Sequence, residues 1–318
     1  WSTLLLQRLT LRRRPLFFCY CVNNAQTNCL SFGDVAAKFL ASKEEPSLLM
    51  NFINSWLAEP WEDKSSRMQS DVVMEKALPY DRGRMPAAAQ LLTMGVDVQL
   101  DHFWYSIRAW GPHMTSWLVD WGRLETWADI ETTVNRNYAD MNGEIRNINL
   151  CCIDSGYNTD DVYTFCAHNM DVMVPTKGAS RPLKSRYSVS VLDKQAGFGL
   201  RLYEMDTNQL KNFIASRMAI PPGAAGSWNV YRDIEREYAD QICAEQKVEK
   251  KDKKGRVAVV WEKISSHAQN HLLDCETNNA LAAEIMGVRY LLDPEEEENE
   301  PEPEAESDDW LGVDDDYL

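Results

Sequence analysis

The sequence predicts an α/β fold, a mixed sheet with helices on its faces, on three observations. Three strand-like runs, LLTMGVDVQ (91–99), HFWYSIRAW (102–110) and MTSWLVDWG (114–122), are separated by only two or three residues, the spacing of consecutive antiparallel hairpins. NINLCCIDSG (147–156) is a continuous apolar run, the pattern of a strand buried on both faces. The later strands alternate with helix-compatible segments, which supply right-handed crossovers between parallel strands.

Taken in order, FGDVAAKFLASKEEPSLLMNFINSWL (32–57) alternates apolar and polar residues at helical spacing, and Pro46 divides it into two helices. Residues 58–90 are charged and proline-interrupted, so 32–90 reads as a helical connector ahead of a main domain at 91–292. After the three strands, a polar helix is expected over 127–141, then the buried strand, then a short helix from Asp160 to His168 and the strand DVMVPTKG (171–178). Residues 178–199, rich in Gly, Ser and bases, read as a long loop. LRLYEMD (200–206) resumes a strand and NQLKNFIASRM (208–218) is an amphipathic helix. YRDIEREYADQICAEQKVEKK (231–251) begins another helix, and GRVAVVWEKI (255–264) alternates like a strand. CETNNALAAEIMGVRYLL (275–292) closes the body as a helix with Leu281, Ile285 and Val288 on one side.

Of 318 residues, 49 are Asp or Glu and 33 are Lys or Arg, a net charge of −16. Residues 293–318 hold 14 of the acids and no Lys or Arg, leaving 35 acids against 33 bases in the rest. The acidity therefore belongs to a tail, and a nearly neutral body is not excluded from binding nucleic acid. The tail is acidic and proline-interrupted, so it is expected to be disordered. Its end, WLGVDDDYL, sets Trp310, Leu311, Val313, Tyr317 and Leu318 among acids, the makings of a peptide that orders on a partner.

No apolar run approaches the ~20 residues that span a bilayer, so no membrane partner is expected. The eight cysteines (19, 21, 29, 151, 152, 166, 243 and 275) form no CxxC pair and read as reduced, mostly buried thiols of a cytosolic protein. The first residue is Trp, and Arg8, Arg12, Arg13 and Arg14 follow an apolar patch, the reverse of a secretory signal. Residues 1–31 are accordingly expected to be a segment foreign to the domain.

Three carboxylates occupy unusual places. Asp97 lies inside an apolar strand, Asp154 ends one, and Asp274 opens the last helix. A buried carboxylate is costly unless paired, hydrogen-bonded or bound to a cation. If the first and fourth strands are neighbours, Asp97 and Asp154 lie side by side, and a divalent metal keeps both ionised. The competing reading is that each is a turn former or a helix cap. Oxygen ligands with open water positions suit Mg²⁺ or Mn²⁺, and such a site can hold two metals for attack of water on a phosphodiester.

The succession FLASKEEPSLLMNFINSWLAEPWED, GVDVQLDHFWYSIRAWG, IDSGYNTDDVYTFCAHN, VPTKG and NHLLDCETNNALAA resembles, in order, the large terminase subunit of lambda-like tailed phages. The resemblance runs from about Phe32 to Leu292. It implies a ribonuclease H-like nuclease domain that cuts concatemeric phage DNA during packaging, with Asp97, Asp154 and Asp274 on the family's metal-binding carboxylates. Lys177 falls on a lysine of the family pattern, where it meets a phosphate or is a solvated strand end. Lys211 also matches the pattern, as a structural or a DNA-facing residue. His271 either orients a ligand or water or is a satisfied histidine at a helix entrance.

The family protein carries an ATPase motor, but no G-x-x-x-x-G-K-[ST] occurs here, so a separate motor is expected. Basic residues offer a path for double-stranded DNA: Lys177, Arg181 and Lys184 in one loop, Lys253 and Lys254 in another. The second group reads rather more readily as a solvated hairpin. The resemblance further implies the small terminase subunit as a partner, docking of the acidic tail on the procapsid portal, and work in the host cytoplasm. The alternative is a catalytically inactive prophage remnant, or a packaging adaptor that docks on the portal through its tail.

Overall fold

Every residue of the strand Leu91–Val98 except the first is buried, which places it in the interior of a sheet rather than on its edge. The computed structural model that shows this describes residues 32–42, 51–52, 55–56, 69–192, 199–251 and 257–293. The chain divides into two compact units after Asp63. In the first, helix α1 (Phe32–Ser42) brings Phe39 onto Phe52, ring centroids 5.8 Å apart, and Phe52 stacks on Trp56 at 6.2 Å. Pro46 lies outside the described residues.

In the second unit the elements run α2 (Ser70–Met74), β1 (Ala77–Leu78), β2 (Arg84–Met85), β3 (Leu91–Val98), β4 (Phe103–Gly111), β5 (Thr115–Leu124), α3 (Trp127–Val134), β6 (Tyr138–Asp140), β7 (Ile145–Arg146) and β8 (Leu150–Asp154). They continue as α4 (Thr159–His168), β9 (Met173–Gly178), β10 (Tyr187–Leu192), β11 (Leu200–Met205), α5 (Thr207–Met218), β12 (Trp228–Tyr231), α6 (Arg236–Ile242), β13 (Glu245–Lys251), β14 (Val257–Lys263) and α7 (His271–Ile285). Nine of these strands form one sheet in the order β1-β12-β5-β4-β3-β8-β9-β11-β10.

The middle of that sheet, β5-β4-β3-β8-β9, has β4 antiparallel to both neighbours and β8 and β9 parallel to β3. This is the strand order and direction of the ribonuclease H-like fold, as the family resemblance implies. The two hairpins follow from the short spacers, and the apolar run at 150–154 is the parallel strand beside β3. Helix α7 covers β3 and is buried on nearly every side, because its polar residues bond into the sheet. Thr93 Oγ1 donates to Asn279 Oδ1 (2.7 Å), Asn279 Nδ2 donates to Ser106 Oγ (2.8 Å), and Thr176 Oγ1 donates to Asn278 Oδ1 (2.7 Å). Gly95 permits this approach, since a Cβ there would run into the carbonyl oxygen of Cys275.

Four boundaries depart from expectation. The helix expected over 127–141 begins with a capping box between Thr126 and Asp129 but stops at Val134. Its remainder turns back, with the buried Tyr138 donating to the Thr133 carbonyl (3.0 Å), and β6 pairs with β2 and β7 in a small second sheet. The expected loop at 178–199 contains β10, paired along its length with β11. Its YSVSVL alternation suits an edge strand, and Val189 and Val191 stay exposed. The helix expected over 231–251 is α6 followed by β13, which forms a two-stranded ribbon with β14. The last helix starts at His271, so Asp274 sits within its first turn instead of opening it.

Candidate metal centre

Strands β3 and β8 run parallel, with Val96 opposite Ile153. One residue further on, Asp97 and Asp154 come level at the carboxyl edge of the sheet, where open α/β sheets place their ligands. Asp97 is 6% exposed. Asp154 closes β8, and the turn after it is pinned to the next strand, Ser155 donating to the Thr176 carbonyl from both its backbone nitrogen (2.8 Å) and its hydroxyl (2.7 Å). Gly156 N donates to Asp154 Oδ1 at 3.2 Å. Helix α7, lying across β3, supplies Asp274 to the same edge.

Each of the other two acids is held by neighbours. Asp97 Oδ2 accepts from Gln99 Nε2 (2.7 Å) and bonds His271 Nδ1 (2.8 Å). Asp274 Oδ1 pairs with Lys211 Nζ at 2.9 Å, and its Oδ2 accepts from Asn270 Nδ2 at 2.9 Å. Lys211 also pairs with Glu245 Oε1 (2.7 Å), which accepts in addition from Asn270 (2.6 Å). Glu245 Oε2 is buried with no hydrogen-bond partner among the described residues. Of the four carboxylates, Asp274 and Glu245 share the buried Lys211 ammonium, while Asp97 and Asp154 have no such partner among the described residues, with Lys177 exposed at the rim.

The imbalance appears in the acidities. Burial raises the Asp97 carboxyl above the ordinary carboxylate range, and the like charge of Asp274 adds to the rise. Asp154 is pushed up to about 6, by burial first and then by Asp97 and Asp274, against opposing pulls from the Gly156 N–H and, less, from Lys177. Two carboxyls that resist ionising side by side mark a shortage of positive charge, which a divalent cation relieves. Asp97, Asp154 and Asp274 offer only oxygen, the donor set of Mg²⁺ and Mn²⁺. In charge and donor chemistry the residues fit such an ion. Their side chains do not converge into a finished cage: among the described residues no three His, Cys, Asp or Glu stand together as a metal-holding group.

The basic residues named from sequence separate. Lys177 at the end of β9, and Arg181 and Lys184 in the segment after it, are exposed, and of the three Lys177 acts on Asp154. Lys211 is 6% exposed and enclosed between two acids, so it is a cation of the site's interior and not a surface contact. Lys253 and Lys254 lie outside the described residues. Three members of the site escaped the sequence reading: Gln99, Glu245 and Asn270. Gln99 was within reach of it, because side chains two residues apart along a strand share a face.

The family model of the terminase large subunit gpA endonuclease domain matches residues 17–297. The terminase large subunits of Escherichia phage lambda and Enterobacteria phage P21 are 28% identical over 275 residues and 27% identical over 273. These matches take in 81% and 80% of the chain and 42% of each relative, so the chain spans less than half the length of the curated relatives it matches. Among solved structures, the large terminase nuclease of thermophilic phage G20c is 14% identical with a TM-score of 0.39, covering 68% of this chain and 98% of that one. A mutant nuclease domain of the large terminase subunit of bacterial virus Sf6, with manganese and beta-thujaplicinol, is 10% identical with a TM-score of 0.38, covering 61% and 89%. No helix among the described residues is long and apolar enough to cross a membrane.

Proposed function

The chain belongs to the terminase large subunit gpA endonuclease family, and from that premise we propose that it is a metal-dependent endonuclease cutting concatemeric double-stranded DNA for packaging. The observation that carries this reading is the pair Asp97 and Asp154, level on adjacent parallel strands and held above the ordinary carboxylate range. Asp97, Asp154 and Asp274 would hold Mg²⁺ or Mn²⁺, in a two-ion arrangement. When bound, such ions activate water and neutralise charge on the phosphodiester.

The protein's own residues do the rest. The pinned turn after β8 fixes where Asp154 points, and α7 fixes Asp274 relative to β3. Lys211 and Asn270 keep Asp274 from swinging outward. Lys177, Arg181 and Lys184 meet the DNA backbone as it crosses the edge, a sequence-independent and salt-sensitive contact. Within the packaging machine the partners would be the small terminase subunit, an ATPase motor and the portal, reached through the acidic tail, all in the host cytoplasm. The tail beyond Asp293 lies outside the described residues.

A plasmid-cleavage assay in Mn²⁺ tests the proposal. The wild-type chain nicks or linearises the plasmid, and Asp97→Ala or Asp154→Ala lowers the rate by about a hundredfold or more. Undiminished cleavage in either variant overturns the assignment. Absence of cleavage with every divalent metal, together with portal binding that is lost on tail deletion, would favour the adaptor reading.

A further inference from the structure

Helix α7 brings two side chains to the sheet edge from its first turn, Asp274 and, three residues earlier, His271. His271 does not face solvent as a helix-entrance residue would. Its side chain is 20% exposed, and its Nδ1 lies 2.8 Å from Asp97 Oδ2, an atom on a different element 174 residues away. Its ring lies parallel to the indole of Trp104, with centroids 5.9 Å apart and planes 2° from parallel. Trp104 in turn is the residue directly opposite Asp97 in the β3–β4 hairpin. The histidine is therefore fixed in its plane by one neighbour of Asp97 while it bonds Asp97 itself.

The consequence for the carboxylate is asymmetric. Oδ2 bonds two side chains, His271 Nδ1 and Gln99 Nε2 at 2.7 Å, while Oδ1 has no hydrogen bond from any described residue. An ionised carboxylate only accepts, so when Asp97 is ionised, the form that binds a cation, the histidine carries its hydrogen on Nδ1. Held this way, the side chain cannot rotate about its last bond to exchange the two oxygens, and Oδ1 alone remains for a cation. Metal-ligating groups are commonly oriented by such outer partners, and losing one typically weakens metal affinity.

We propose that His271, clamped by Trp104, is a positioning residue that orients Asp97 for the metal, so that one turn of α7 delivers one ligand and aims another. This rests on the metal-centre reading given above. The test separates the ring from its hydrogen bond. His271→Phe keeps an aromatic ring on Trp104 but cannot donate, whereas His271→Asn loses the stacking but keeps a donor near the position of Nδ1.

Mn²⁺ binding is measured on the full chain without DNA, by titration calorimetry or from the resonance signal of free Mn²⁺, with thermal melting as the check on folding. Mn²⁺ affinity is expected to fall about ten- to a hundredfold in His271→Phe and to stay within about threefold of wild type in His271→Asn. A purely structural histidine predicts the reverse, with Phe tolerated and Asn not. Wild-type affinity in His271→Phe overturns the proposal, as does equal weakening in both variants. If Asp97→Ala leaves Mn²⁺ affinity unchanged, the metal is not held there and the proposal falls with the site. If the variants behave as expected while the wild-type chain leaves plasmid uncut, the nuclease reading falls and the positioning role stands.

Discussion

Helix α7 carries two carboxylates two residues apart, Asp274 and Glu276, and their surroundings are opposites. Glu276 is 1% exposed and fully answered: Arg108 Nε donates to its Oε2 at 2.5 Å and the Tyr238 hydroxyl to its Oε1 at 3.0 Å. Arg108 is itself completed by Ser116 Oγ (3.1 Å), the Asn229 carbonyl (3.2 Å) and the Trp228 ring, whose centroid lies 4.2 Å away. The negative charge and its counter-charge are both built into the fold. Around Asp274 stand Asp97, Asp154 and Glu245, and among the described residues the buried Lys or Arg that pairs with Asp274 is Lys211, which it shares with Glu245. The difference teaches that burial of an acid does not mark a functional site. What marks it is burial without enough counter-charge.

The comparison breaks first, and with the largest effect, at the satisfied end. Glu276→Ala leaves Arg108 as an uncompensated buried charge, and stability measured by denaturant titration is expected to fall by about 3–5 kcal/mol. The unsatisfied end should respond with the opposite sign. The Asp154 carboxyl titrates at about 6, against an ordinary 3.8, so between those values the native state keeps a proton that the unfolded chain has released. Folding is accordingly favoured at the acid side of the window and loses that advantage as pH rises through 6. In chelator-treated protein, the melting temperature of wild type should gain from lowering pH from 7 to 5 more than that of Asp154→Asn does. At pH 7 the Asn variant should be the more stable by about 2–3 kcal/mol, while cleavage is lost. A variant that is both less stable and inactive at pH 7 would put Asp154 with Glu276, among the structural acids. The smallest effect is expected at the rim, where Lys177→Ala should reduce the slope of log affinity for DNA against log salt by about one unit.

How much of this the sequence disclosed depends on the range of the interaction. The three central strands and the buried run after them were legible, because short spacers and uninterrupted apolar residues are local signals. Once β3 and β8 are neighbours, the level position of Asp97 and Asp154 follows from register alone. Edge strand β10 was hidden because only its own alternation marks it, while the Gly, Ser and basic residues around it have loop composition. Glu245 was hidden for a different reason. It sits in a helix-prone stretch, and what ends the helix and starts β13 is long-range, with Lys211 and Asn270 as partners of the glutamate. The Arg108–Glu276 pair, 168 residues apart, leaves no local trace, and from sequence Asp274 was set apart from Glu276 by its place at the start of the last helix and by the family resemblance.

The close seat of α7 on β3 at Gly95 has a consequence for how the site is calibrated. At this point the strand that bears Asp97 and the helix that bears Asp274 touch through main chain, with no side chain at position 95 to act as an adjustable shim. The gauge of the site is therefore a hydrogen atom, and any heavier group at position 95 would reset it.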